Sequence, residues 1–297
     1  MKSTLYKNSP KITVLMSVFN GERWLEECII SILNQTYGDF EFIIIDDGSV
    51  DQTTSIIKKF LIIDHRIKFF RQENIGLTKT LNKGLKLAKG QWIARIDADD
   101  IATNTRLEDQ YKLVKKNGYD LVGARAKLID TLGNEISEIV CPLSGESIKK
   151  NLYRQGIIFP HSTAFFRLST VIKIGGYRET LEKSQDYDLW LRMSIKSKIG
   201  CSEYLGGYIR NHKKRISYND FGIEQRLLAH CALVSYYIRS KLGPLNDPLE
   251  PNRGDMVSRK FKEYVYNQIE LSNLNLFYRK LYFYKLNVNN KIFKRIR

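Results

Sequence analysis

Long apolar runs are missing from this 297-residue chain. No stretch reaches 18 consecutive apolar residues, so no segment reads as a membrane span. The opening MKSTLYKNSP has neither an apolar core nor a cleavage site; no signal peptide is expected, and the chain is expected to stay in the cytosol. Cysteine is scarce: Cys28, Cys141, Cys201 and Cys231 lie far apart, with no CxxC pair. That scatter argues for buried, reduced thiols and against a zinc site or a disulfide framework. Two phosphate-binding signatures are also absent. The turn Ser17-Val18-Phe19-Asn20-Gly21 lacks the GxGxxG of a dinucleotide site, and no GxxxxGK[ST] occurs anywhere. Both absences argue against an ordinary NAD enzyme and a P-loop NTPase.

Charge of one sign dominates. The net charge is +16, and residues 201–297 carry 18 Lys and Arg against 8 Asp and Glu. From Leu271 onward there are seven basic residues and no acidic one. An acidic partner is implied, and nucleic acid, anionic lipid and a phosphorylated substrate all qualify. At 43% hydrophobic and 27% charged, the chain is nonetheless a globular one with a substantial core.

Strand and helix signals alternate through the first half. Ile12 to Val18 is a β-branched apolar run that reads as a buried parallel strand. Trp24, Leu25, Cys28, Ile29, Ile32 and Leu33 then recur at helical spacing within Glu22 to Gln35. Further strands are expected at Phe40 to Ile45, Ile67 to Phe70 and Trp92 to Ile96, with helices at Asp51 to Ile63 and Leu77 to Ala88, the latter closed by Lys89-Gly90 as a C-cap. This order means βαβ units and a mostly parallel sheet. Later expectations are a helix at Arg106 to Lys116, a strand at Asp120 to Ala126, a hairpin turning at Leu132-Gly133-Asn134, a basic helix at Ser147 to Arg154, a strand at Ser162 to Arg167 and a helix at Gln185 to Ile195. From about Asn219 the texture changes to long, Tyr-rich helical stretches, Gly222 to Leu242 and Asp255 to Tyr284. The expected division is a catalytic domain at 1–217 and a basic helical region at 218–297.

Carboxylates gather at the ends of two expected strands. Ile93 to Asp100 reads IARIDADD, and Phe40 to Ile45 runs into Asp46-Asp47-Gly48-Ser49. Ligands bind beyond the carboxyl edge of such sheets. Asp97 and Asp99, two apart on a tight turn, can converge on a hard cation such as Mg²⁺ or Mn²⁺, which is usually shared with substrate phosphates. The plainer alternative is an acidic loop capping the next helix. A third cluster, Gln185-Asp186-Tyr187-Asp188, opens an amphipathic helix, where a carboxylate is either a cap and macrodipole partner or a general base.

These segments, taken together, resemble the family 2 glycosyltransferases of GT-A fold, bacterial enzymes that move a sugar from a nucleotide donor with inversion. The matching stretches are the opening strand with Ser17 and Asn20, then SILNQTY, IIIDDGSVDQT, NIGL, LNKGLKLAKGQWIARIDADD, HSTAFFR, GGYRE and QDYDLWLRM, in the family's order over roughly residues 10–217. The resemblance implies a Rossmann-like, mostly parallel sheet with flanking helices, followed by a C-terminal helical region. It implies that Asp47 binds the nucleobase with Ser17 lining the same pocket, that Asp97 touches the ribose or the metal, and that Asp99 ligates Mn²⁺ or Mg²⁺. Asp186 falls on the catalytic-base position. The family usually carries Glu-Asp there, and Gln185 in place of the Glu keeps Asp188 open as the alternative. Tyr208-Ile209-Arg210-Asn211-His212 resembles a later motif whose His approaches the metal or diphosphate; a surface His in a basic loop is the other reading.

The implied partners are a nucleotide-sugar donor, with UDP the family's commonest carrier, and a glycan acceptor, expected to be a polyprenyl-diphosphate-linked sugar of bacterial surface polysaccharide. The implied enzyme is a metal-dependent hexosyl- or N-acetylhexosaminyltransferase. Two rivals stand beside it: a nucleotidyltransferase acting on sugar phosphates, and a basic nucleic-acid-binding protein. The first would want a Gly-rich basic loop after the first strand, which Phe19-Asn20-Gly21-Glu22 does not supply. Against the second, most of the 17 Tyr and 14 Phe lie at helical spacing beside Leu and Ile, so nucleic acid is not expected as a partner. Finally, Leu274, Phe277, Leu281, Tyr284 and Val288 recur three or four apart among basic residues. Such a helix suits an anionic membrane surface, which places the protein peripherally on the inner face of the cytoplasmic membrane.

Overall fold

A computed structural model describes residues 9–142, 145–155, 158–213, 215, 223–251 and 255–270. The expected helix over residues 274–297 lies outside these described residues. The chain divides into two compact units: residues up to Tyr177 together with Lys196–Lys213, and Arg178–Ile195 together with residues from Lys214 on.

The first unit is built on one sheet. Its strands are β1 (Ile12–Val18), β2 (Phe40–Asp46), β3 (Ile67–Arg71), β4 (Trp92–Arg95), β5 (Ile101–Ala102), β6 (Leu121–Ile129), β7 (Glu135–Ile139), β8 (Phe165–Arg167) and β9 (Ile199–Arg210). Among the described residues they run in the order β3-β2-β1-β4-β8-β6-β9-β5, with β7 hydrogen-bonded to β6. The first four are parallel, as is β6 with β9, while β8, β7 and β5 enter antiparallel. The sheet is thus mixed and mostly parallel, flanked by helices.

Both faces of β1 are apolar because both are covered. Val14, Met16 and Val18 share a core with Leu25, Cys28, Ile29 and Ile32 of α1 (Leu25–Leu33) and with Ile57 and Phe60 of α2 (Thr53–Ile63). Leu107 and Val114 of α4 (Arg106–Asn117) extend the same core. On the opposite face, Leu15 lies against Gly84 of α3 (Leu77–Leu87), where a Cβ would come within 3.0 Å of Leu15 Cδ2. This double cover is why the parallel strands read as continuous apolar runs rather than alternating ones.

Several expected boundaries shift. Helix α3 ends at Leu87 with Ala88 extended, so Gly90 is no left-handed cap. It is a site of close approach: its N–H donates to Thr13 Oγ1 at 2.9 Å, and a Cβ there would lie 2.6 Å from the Ile12 carbonyl carbon. The expected hairpin forms, but its first arm is the far end of β6. The strand expected at Ser162 begins instead with a 3-10 turn, His161–Thr163, before β8. The helix expected at Ser147 is α5 (Gly145–Gln155), and a short α6 (Leu168–Lys173) follows β8.

The second unit contains α7 (Gln185–Ser194), α8 (Ile223–Leu242) and α9 (Asp255–Glu270). Every residue of α7 is buried, polar ones included. Among the described residues, no helix is long and apolar enough to cross a membrane. All four cysteines are buried and unbridged.

Candidate active site

In the order β3-β2-β1-β4 the chain works outward from β1 in one direction and then returns to its other side. The carboxyl ends of β1 and β4 therefore flank a topological switch point, where connecting loops leave to opposite sides and open a crevice. The register places Ser17 opposite Ile45 and Leu15 opposite Arg95, so Ser17 stands one pleat period beyond Arg95 on the same face. Ser17 is half-buried there.

The loops beyond β1 and β2 are stitched together. Asn20, in the left-handed region at φ 52°, receives the Val50 N–H on Oδ1 at 2.9 Å, while its own N–H donates to Ser49 Oγ. Gly21 N–H donates to Thr53 Oγ1. Asp46 is wholly buried and structural, accepting from Ser49 N–H at 2.8 Å and from Thr54 Oγ1 at 2.5 Å. Asp47 fixes a third loop: Oδ1 accepts from Gln72 Nε2 (2.7 Å) and Ile75 N–H (3.0 Å), and Oδ2 from Gly76 N–H (2.9 Å). Gln72 is held in turn by Lys83 Nζ on its carbonyl at 2.7 Å.

Beyond β4, the carboxylates of Asp97, Asp99 and Asp100 each offer one oxygen, all within 4.8 Å of one another. Three negative charges this close repel, and the surroundings are arranged to offset them. Arg95, only 1% exposed, pairs with Asp97 Oδ1; burial works against its charge, but Asp97, joined by Tyr177 and Asp100, holds its pKa above the ordinary value. Asp97 N–H donates to Ser162 Oγ at 3.0 Å. Asp99 Oδ2 lies 2.7 Å from His212 Nε2. Asp100 is buried, and its Oδ1 accepts the Arg210 N–H at 2.9 Å. Arg210 also reaches the Asp99 carbonyl through Nε (3.1 Å) and Glu27 Oε2 through Nη2 (2.6 Å). The field of the triad is felt at Cys28, whose thiol is pushed well up, first by burial and then by Asp100, Asp99 and Asp97. A compact all-oxygen donor set with an imidazole at its edge fits Mg²⁺ or Mn²⁺, and Asp97 and Asp99, the two more open members, would hold it.

Next to Ser162 in the chain, His161 Nε2 lies 2.9 Å from the Tyr177 hydroxyl. Burial, and then the neighbouring Arg95, push its pKa well below the usual imidazole value.

In the second unit, α7 begins after Ser184, itself left-handed at φ 60°. Asp186 is 8% exposed, and its Oδ1 accepts the Tyr187 N–H at 2.8 Å. Asp188 is sealed, with Arg178 Nη1 on Oδ1 at 3.0 Å and Arg192 Nη2 on Oδ2 at 2.7 Å. Arg178 continues to Asp247 and Ser235, and Arg239 joins Asp247 to Glu250. Asp188 is one node of this ion-pair network.

The structure thus brings Asp97, Asp99 and His212 together and places Ser17 and Asp47 at the same sheet edge. Sequence reasoning gave no site role to Arg95, Arg210, Ser162 or Trp24, whose ring meets that of His212 with centroids 4.5 Å apart. A charged residue inside an apolar strand was the available signal for Arg95.

A mixed sheet with carboxylates at its switch point is shared by enzymes that handle nucleotide-linked sugars, and the comparisons with known proteins agree. Residues 13–175 match the profile of Glycosyl transferase family 2, and the chain belongs to that family. It is 36% identical over 236 residues to the O-antigen biosynthesis glycosyltransferase WbnJ of Escherichia coli, covering 78% of this chain and 89% of that one. An uncharacterized glycosyltransferase of Haemophilus influenzae is 30% identical over 80% of this chain and 91% of its own. Among solved structures, S. aureus TarS 1–349 in complex with UDP-GlcNAc aligns at a TM-score of 0.64 and 18% identity, covering 82% of this chain and 71% of that one. The mannosyltransferase PcManGT from Pyrobaculum calidifontis, in complex with GDP-Man and Mn²⁺, aligns at 0.56 and 14% identity over 94% of this chain and 81% of its own. These structural likenesses establish the GT-A fold. Family membership favours glycosyl transfer over both the nucleotidyltransferase and the nucleic-acid-binding alternatives.

Proposed function

We propose that this protein is an inverting transferase that moves a sugar from a nucleoside-diphosphate donor, a UDP-sugar first among them, to a hydroxyl of a glycan acceptor. The observation that carries the reading is the Asp97–Asp99–Asp100 triad at the switch point, with Asp47 fixed beyond the end of β2 on the other side of β1. The Asp47 side-chain oxygens already accept three N–H groups. A base that meets it must present a further N–H, as uracil and guanine do and as adenine and cytosine do not at their ring nitrogen. The UDP-GlcNAc complex of TarS supports the uracil choice. Ser17 lines the base pocket, Asp97 serves ribose or metal, Asp99 serves the metal, and His212 serves the diphosphate end. Asp97 and Asp99 would hold a Mn²⁺ or Mg²⁺ ion, which would supply positive charge against that developing on the departing diphosphate.

Asp186 is the proposed general base. It takes the proton of the acceptor hydroxyl as that oxygen attacks the anomeric carbon from the face opposite the nucleotide. The new C–O bond forms while the bond to the diphosphate oxygen breaks, through a transition state of oxocarbenium character. Asp188 is the weaker candidate because both of its oxygens are committed to guanidinium groups.

The acceptor we propose is a polyprenyl-diphosphate-linked sugar of surface polysaccharide, a reading supported by the O-antigen role in the WbnJ name. The transferred group is a hexose or N-acetylhexosamine. The basic stretch 274–297 gives the protein a peripheral place on the inner face of the cytoplasmic membrane. The test is a panel of sugar nucleotides screened for metal-dependent UDP or GDP release, followed by NMR of the product anomer. An α-linked donor should give a β-linked product, and a retained anomer would sink single displacement. Full-length protein should bind anionic vesicles at low salt, and lack of binding would remove the membrane role.

A further inference from the structure

We propose that Trp24 is a positioning residue for the metal–diphosphate end of the site and acts through His212; this rests on the reading that His212 serves that end. His212 reaches Asp99 through Nε2 at 2.7 Å, while its Nδ1 is buried with no hydrogen-bond partner among the described residues. A histidine that serves a metal is normally oriented by a hydrogen bond on its other ring nitrogen, which fixes both tautomer and ring plane. Among the described residues no such bond is made, and an aromatic face lies against the ring instead. The Trp24 indole lies 4.5 Å from the His212 ring centroid, tilted by 39°.

The backbone that carries the indole is held. The Trp24 main-chain N–H donates to the Gly21 carbonyl at 3.2 Å, and the Trp24 main-chain carbonyl accepts the Cys28 N–H at 3.1 Å as α1 begins. Two cations lie against its ring, the guanidinium carbons of Arg23 and Arg210 being 4.6 and 5.4 Å from the centroid. Arg210 closes the frame: two residues before His212, it binds Asp99, Asp100 and Glu27 of α1. The start of α1, the end of β9 and the acidic loop are therefore tied at one point, with Trp24 as the surface on which the imidazole rests. An electron-rich indole face also favours a neighbouring cation, so it suits a place beside a metal. Plain packing would ask only for apolar bulk at position 24; positioning by an aromatic face asks for an aromatic ring.

The experiment measures Mn²⁺ affinity by the EPR signal of free Mn²⁺, in the presence of UDP. The proteins are wild type, Trp24→Leu, Trp24→Phe, His212→Ala and the Trp24→Leu/His212→Ala double variant, each with its melting temperature. His212→Ala should weaken Mn²⁺ roughly 10-fold or more, and Trp24→Leu by a similar factor. Trp24→Phe should restore most of the loss, and the double variant should bind no more weakly than His212→Ala alone, because both lesions remove one interaction. Equal behaviour of Leu and Phe, or additive losses in the double variant, overturns the inference. Wild-type affinity in Trp24→Leu beside a weakened His212→Ala overturns it while leaving the role of His212 intact. Wild-type affinity in His212→Ala removes that role, and the inference with it. A Leu variant that does not fold leaves the decision to the Phe variant: Mn²⁺ affinity near wild type sustains the proposal, and a loss as large as that of His212→Ala overturns it.

Discussion

Arg178 donates to Asp188 at 3.0 Å, and the two side chains are 3% and 1% exposed. Two residues before Asp188 on the same helix, Asp186 Oδ1 accepts the Tyr187 N–H at 2.8 Å. The pair thus separates two carboxylates that look equivalent in the motif, and each has its own consequence.

Asp188→Asn should be a folding variant. It leaves Arg178 and Arg192 without their shared anion inside the protein, a loss of about 3–5 kcal/mol for a broken buried pair. Asp186→Asn should melt near wild type, bind donor normally and turn over about 10²–10⁴-fold more slowly. Calorimetry and initial rates decide between them; a stable, inactive Asp188→Asn beside a fully active Asp186→Asn would reverse the assignment.

Gly90→Ala should destabilise the protein although alanine suits most backbone conformations. Its Cβ would meet the main chain of β1, 2.6 Å from the Ile12 carbonyl carbon, and a strand centred in the sheet cannot yield. A cost of about 1–3 kcal/mol is expected from such overpacking. An unchanged denaturation midpoint would show that β1 and the turn have room to move apart.

Acid should weaken the fold through His161. Burial and Arg95 depress its folded pKa, so between the ordinary imidazole value of about 6.5 and that depressed value the unfolded chain binds the extra proton. Stability is therefore full above the window and is lost as pH falls through it. His230, depressed mainly by its own burial, adds to the slope in the same direction. Melting temperature against pH should be flatter in His161→Gln than in wild type, with His230 contributing part of the slope that remains. An unaltered slope would mean that His161 titrates freely.

The first half of the fold was legible because its strands are covered on both faces. ITVLMSV, FEFIII and WIARI each read as buried runs, and the carboxylates at their ends fell where parallel strands open a crevice. Strand β9 was not legible. IGCSEYLGGYIR has no alternation, and its glycines serve close packing that only the folded chain reveals: Gly200 against Tyr119, Gly206 against Ala124 and Gly207 against the Ile101 carbonyl. Asp97, Asp99 and His212 could be named from motifs, yet what holds them could not. Arg95 and Arg210 are charged residues whose burial depends on partners distant in sequence, and Trp24 read simply as part of the apolar face of α1. The grouping of α7 with the C-terminal helices in one unit was equally hidden, since nothing in QDYDLWLRM distinguishes it from the helices of the sheet.

The central claim is that Asp99 and its neighbours hold a divalent cation on the diphosphate of a nucleotide-sugar donor. Calorimetric titration of UDP, with GDP alongside, into wild type and Asp99→Ala in Mn²⁺ and then in EDTA tests it most directly. The account predicts binding by wild type in Mn²⁺ that is lost in EDTA, and little binding by Asp99→Ala in either, with the variant still folded because removing a partly exposed carboxylate leaves no cavity. Equal affinity of wild type in Mn²⁺ and in EDTA, shared by Asp99→Ala, would contradict it.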